Sequence, residues 1–217
     1  MAEEGANWLQ RQITARIFEN GELQCSVQET MLGQVASIQR QELAENSSGD
    51  MKKVMEGFVT RNAPGALLRT FSVTHADEAD KPLVLKYDFV TGRYGSRLNS
   101  LLLFKPTIIE RRDEIEFNEP SRKYAVRLRL KQVREDLVQI EIPAGYKVDE
   151  LPPEENISTE FGEFQTAYKV NGQTITFSRR FIARSLFVPP ERYPEFKQFF
   201  EKIYNSDQSN VVLVRSR

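Results

Sequence analysis

Cys25 and His75 are the only cysteine and the only histidine among 217 residues, so any thiol chemistry must run through them. Asp77 and Asp80 follow the histidine, which makes a Cys/His/Asp triad arithmetically possible. The surroundings speak against it. A reactive thiolate wants a helix N-terminus or a cationic neighbour to lower its pKa. Cys25 instead shares the apolar side of an alternating run with Leu23 and Val27, where a free cysteine behaves as a small hydrophobe. A core cysteine and a loop histidine are expected, and no catalytic residue is assigned.

The other chemistries are no better supplied. One histidine and one cysteine cannot build a zinc cage. The acidic stretches "HADEAD" (75–80) and "DELPPEE" (149–155) could offer oxygens to calcium, but neither has the glycine and ligand spacing of an EF-hand loop. Solvated acidic loops are expected, with no metal and no cofactor. Among 31 acidic residues, no carboxylate pair stands out for glycoside chemistry, because that pairing depends on separation in space. No phosphate-binding glycine loop is present, and "GRYGSR" (92–97) reads as a turn. The basic pairs are Arg111–Arg112 and Arg179–Arg180. Acidic residues surround the first and a strand pattern holds the second, so solvated faces are expected rather than phosphate sites. Asn46-Ser47-Ser48 and Asn156-Ile157-Ser158 fit the glycosylation acceptor pattern, which is common by chance.

The totals set wider bounds. Thirty Lys and Arg against 31 Asp and Glu create no global field for nucleic acid or an anionic membrane. The longest apolar run, "LLLF" at 101–104, is far short of the roughly 20 residues that span a bilayer. One cysteine excludes an internal disulfide without fixing the compartment. The acidic, polar start "MAEEGANWLQRQ" is not a signal peptide. The length suits one large domain or two small ones.

The elements that must position these residues are mostly strands. Asn20-Gly21 is a hairpin signal between alternating runs, with Leu23, Cys25 and Val27 on one face. "QVASIQRQEL" (34–43) reads as a third strand. Met51, Val54, Met55, Phe58 and Val59 recur at helical spacing after capping residues, which predicts a helix near 49–62. "ALLRTFSVTH" and "KPLVLKYDFV" return to strands, "SLLLFKPTIIE" follows weakly, and the charged stretch 110–121 loses periodicity. "KYAVRLRL" (123–130) alternates as a strand. "GEFQTAYKVNGQTITFSRRFIA" is the clearest hairpin, turning at Asn171-Gly172.

The stretch "FVPPERYPEFKQFFEKIYNSDQSNVVL" (187–213) has no PxxP spacing, so it does not fit proline-rich recognition. Pro194 suits a first helical turn. Phe196, Phe199, Phe200, Ile203 and Tyr204 then form one stripe. A helix near 194–205 that fastens the fold is expected, with "VVLV" (211–214) as a closing edge or return strand.

With "IPAGYKVDELPPEENISTEFGEFQTAYKVNGQTITFSRRF" before it, this stretch resembles the C-terminal β-rich region of bacterial transglutaminase-like proteins with an N-terminal β-rich domain of unknown function. The shared pattern is a "P.GY.V.ELP" turn, an "FG" strand start, a "V.G..I...RR" hairpin and a "PPE.YPEF..F...I" helix start. The hairpin "A.I.E.GEL" and the strand "DKPLVLKYDF" extend the likeness over about residues 12–214. In such proteins the catalytic residues belong to a central domain absent from this sequence, so none is carried across. The resemblance implies a separate or truncated portion of such a protein, a periplasmic or envelope setting, and a transglutaminase-like domain as partner, in the same polypeptide or a neighbouring gene.

The expected fold is mainly β: two packed antiparallel sandwich-like units, 12–120 and 121–217, after a disordered or linker segment 1–11. The expected function is a non-catalytic accessory module. The alternatives are a stand-alone carbohydrate- or peptide-binding sandwich, marked by an aromatic-lined groove, and a hydrolase using carboxylates or Cys25 and His75.

Overall fold

The computed structural model describes residues 7–46 and 48–216. In chain order the elements are β1 (Trp8–Ile17), β2 (Leu23–Leu32), α1 (Gly33–Glu45), α2 (Ser48–Asn62), β3 (Leu67–Thr74), β4 (Leu83–Thr91), β5 (Ser96–Leu98) and β6 (Leu101–Phe104). After a long irregular stretch come β7 (Val126–Arg127), β8 (Gln132–Glu141), β9 (Tyr146–Glu150), β10 (Asn156–Ser158), β11 (Gly162–Asn171), β12 (Thr174–Ala183) and β13 (Phe187–Val188). The chain closes with a 3-10 turn (Pro190–Arg192), α3 (Tyr193–Gln208) and β14 (Val211–Arg215).

The fold is mainly β, with largely antiparallel sheets and few helices. Its centre is an eight-stranded sheet in the order β10-β11-β12-β8-β1-β2-β4-β3. β5-β6-β14-β9 form a second sheet and β13-β7 a short third one. Both strong hairpin signals became hairpins. Gly21 takes φ +85°, and its carbonyl accepts from the Tyr94 and Gly95 backbone N–H groups at 2.9 Å. A Cβ at Gly21 would lie 2.3 Å from the Gly95 carbonyl oxygen, so only glycine fits this docking. "GRYGSR" therefore holds the hairpin tip.

Alternation along the strands separates two faces. On the covered face, Ile13, Val27, Phe89, Ile140 and Phe177 meet Leu102, Phe104, Val211 and Leu213 of the second sheet and Met51, Met55 and Val59 of α2. At the β11–β12 end, Phe164 and Phe181 meet the α3 stripe Phe196, Phe199, Phe200 and Ile203. Leu9, Met31, Leu83 and Leu85 pack with Ala36 of α1. The opposite face is open, with Gln12, Thr14, Gln24, Ser26, Gln139, Gln165 and Ser178 all exposed.

Several expectations are corrected. Residues 34–43 form helix α1, because Gly33 at φ +64° turns the chain off the sheet and Gln, Arg, Glu, Leu and Ala then supply good helix formers. "KYAVRLRL" yields only the two residues of β7, paired solely with β13, and Tyr124 is 84% exposed. That alternation has no neighbouring sheet to pair with. Residues 8–11, assigned to a linker, lie in β1, while residues 1–6 fall outside the described residues. Of the edge or return strand expected at 211–214, the edge alternative falls: β14 lies inside the second sheet, between β6 and β9. Strands from either side of 110–122 also share one sheet: β1 pairs in parallel with β8 from Trp8↔Val133 to Arg16↔Glu141.

Candidate functional site

The densest gathering of ionisable groups lies inside the covered face. Strand register puts Glu29 opposite Arg11, Arg11 opposite Asp136, and Asp136 opposite Arg179. Four adjacent strands thus contribute one lateral row of alternating sign, and all four residues are buried. Arg11 donates from Nε to Glu29 Oε1 at 2.7 Å, from Nη1 to Asp136 Oδ1 at 3.1 Å and from Nη2 to Glu110 Oε2 at 2.8 Å. Arg179 donates to Asp136 at 3.3 Å and to both oxygens of Asp207 at 2.9 and 3.0 Å. Tyr87 donates its hydroxyl to Glu29 at 2.8 Å.

The row also clamps what lies over it. Asp207, near the end of α3, accepts from the Arg112 backbone N–H at 3.1 Å and sits 3.6 Å from the Arg112 guanidinium. Arg134 donates to Glu110 at 2.6 Å. Arg11, Arg112, Arg134 and Arg179 therefore face Glu29, Glu110, Asp136 and Asp207, four charges against four. Such balance matters, because an unpaired buried charge is strongly destabilising.

The electrostatics leave little room for proton transfer here. Burial pushes the Glu110 carboxyl up, but Arg11 and Arg134 more than reverse this and hold it at about 2. Burial works against charge on Arg11 too, yet Glu110, Glu29 and Asp136 carry its pKa above the usual guanidinium value. Burial beside Arg179 lowers Arg112 to about 10. Every one of these shifted groups stays ionised at neutral pH, and a general acid or base must change state near it.

The residues singled out by type are not brought together. Cys25 is buried opposite Phe89 of β4, and burial raises its thiol pKa far from reactivity. His75 follows Thr74, which pairs with Val84 at the other end of β4. Five residues of strand at ~3.3 Å each put them roughly 16 Å apart along β4. The His75 Nδ1 lies 3.0 Å from the Pro82 carbonyl. The "HADEAD" loop closes on a cation of the protein's own: Arg40 donates to the carbonyls of His75, Glu78 and Lys81. Among the described residues no group of His, Cys, Asp and Glu is placed to hold a metal.

The expected solvated arginines are corrected as well. Arg179 is buried, and the side chains of Arg111 and Arg112 are only 10% and 20% exposed. Arg180 alone of the four reaches the open face, where it pairs with Glu135 at 3.1 Å. It edges a cleft of about 670 Å³ whose wall includes Gln10, Leu137, Asn156, Gln165 and Ser178. Among the described residues no aromatic side chain lines this cleft, so they offer it no stacking platform of the kind expected of a sugar site. Sequence reasoning missed the buried row. Its signal was available: Arg11, Glu29 and Arg179 fall at the apolar parity of alternating strands.

Comparison with known proteins adds a family. Residues 99–213 match the family described as "Domain of Unknown Function with solved-structure structure (DUF3858)", and the chain belongs to it. The crystal structure of a "putative protease" from Parabacteroides distasonis ATCC 8503 is similar at 19% identity and a TM-score of 0.40. The likeness covers 44% of this chain and only 19% of that one. None of the curated proteins compared matches the chain. No helix among the described residues is long and apolar enough to cross a membrane.

Proposed function

We propose that this chain is a non-catalytic accessory module that packs on, or presents substrate to, a transglutaminase-like domain. That domain lies in the same polypeptide or is encoded beside it, in a bacterial periplasmic or envelope setting. The observation that carries the reading is the balanced ion row: the strongest concentration of ionisable side chains is spent on holding α3 and residues 107–112 to the sheet. The resemblance of the hairpin and of the proline-flanked helix to transglutaminase-associated regions supplies the partner. Membership in a family of unknown function is compatible with an accessory role.

The test is a pull-down between the purified chain and the transglutaminase-like domain found in frame with it or next to its coding region. Retention of that domain, with no turnover by the chain alone, is the expected outcome. No retention, together with a complete unrelated gene immediately upstream, would remove the reading.

A further inference from the structure

The two edges of the eight-stranded sheet are finished differently. β10 is three residues long and follows Pro152-Pro153, a short edge of the kind that discourages pairing. β3 is eight residues long and, among the described residues, pairs only with β4. After a register shift between Leu68 and Thr70, residues 70–74 run in unbroken register. An edge strand leaves alternate backbone N–H and C=O groups without a ladder partner.

A groove of about 530 Å³ lies along this strand. Every residue from Leu68 to Val73 lines it. Successive strand residues point to opposite faces, so a cavity lined by an unbroken run must follow the backbone edge. Its far wall is formed by Leu43 of α1 and Met51 and Lys52 of α2. The groove runs the length of a strand, and its helix side mixes Leu43 and Met51 with Asn46 and Lys52.

Charge narrows the occupant. Arg69 is exposed on the groove and makes no ion pair among the described residues, and Lys52 reaches Glu56 only at 4.0 Å. β3 itself contains no acid. A second copy of this edge would bring another arginine and no carboxylate, whereas an acidic strand would complete the pairing. Arg69 sits at the register shift and could serve only to repel edge-to-edge contacts, but that role needs no groove beside the strand.

We infer that the β3 edge is a β-augmentation site for an extended peptide segment that alternates apolar residues and carries an acidic residue opposite Arg69. This goes beyond docking on a transglutaminase-like domain and stands without it. The probe is an acetylated, amidated peptide of the length of β3, alternating valine with threonine and bearing one glutamate at the position that faces Arg69. Titrated into the full chain, it should bind saturably and slow hydrogen exchange at amides within 67–74. Arg69→Glu should weaken binding roughly threefold to tenfold, and a lysine in place of the peptide's glutamate should restore it in that variant. Because Arg69 is exposed, the variant should fold as wild type, checked by its melting curve. Three outcomes overturn the proposal: no binding, binding indifferent to Arg69→Glu, or slow exchange at β3 without peptide in a concentration-dependent dimer.

Discussion

The two faces of the eight-stranded sheet are cut from the same strands but carry their charge in opposite ways. The covered face holds Glu29, Arg11, Asp136 and Arg179 in one ladder, paired across strands and beneath Asp207 and Glu110. The open face is lined largely by uncharged Gln, Thr and Ser, and its charges include the pairs Arg16–Glu141 and Glu135–Arg180. Uncharged amides and hydroxyls tolerate water without further support. Buried ions need their partners in place, and here those partners come from β2, β1, β8, β12 and the end of α3. Polarity in this molecule marks architecture on one face and accessibility on the other.

The sharpest break of that contrast comes from the covered side. Phe199 is 2% exposed among Phe181 and Phe200, so Phe199→Asp buries an uncompensated charge and should cost roughly 5 kcal/mol or more. Its melting curve should show the loss; a wild-type melt would return the helix to a recognition role. Arg11→Met should cost about 3–5 kcal/mol, because it leaves Glu29 and Asp136 short of a cation. For a chain of this length that is a fall of roughly 6–20 °C in melting temperature.

Acid should act through Glu110 in a defined window. Its carboxyl is held at about 2 in the folded chain against an ordinary value of 4.5. Its contribution is therefore full above about pH 4.5 and is lost as pH falls towards 2. Glu110→Gln should flatten the stability profile over that interval, as measured by urea unfolding at successive pH values. On the open face, Gln12→Ala should change stability by no more than about 0.5 kcal/mol. A large effect there would mean that the face is covered by something.

Much of the architecture could be read from local pattern. Asn20-Gly21 and Asn171-Gly172 announced their hairpins, and the phenylalanine spacing announced α3, because each signal depends on neighbours a few residues apart. Residues 34–43 failed because a ten-residue polar stretch fits strand or helix, and the deciding event is one left-handed glycine at 33. The parallel pairing of β1 with β8 joins residues about 125 apart, and no local period encodes it. The same distance hid the ion row. Arg11 and Arg179 each broke an apolar face visibly, but the partners that make those breaks tolerable come from four other parts of the chain.

The central claim is that the ion row belongs to the architecture and takes no part in recognition. Its most direct test is the affinity of a balanced variant, Arg11→Met with Glu29→Leu, Asp136→Leu and Arg179→Met, for the transglutaminase-like domain proposed as partner. This variant removes two charges of each sign, and apolar replacement of buried ion pairs is often neutral or stabilising. The account predicts a folded protein whose affinity equals that of wild type. A variant that melts like wild type yet no longer binds would contradict it and place the row in the functional site.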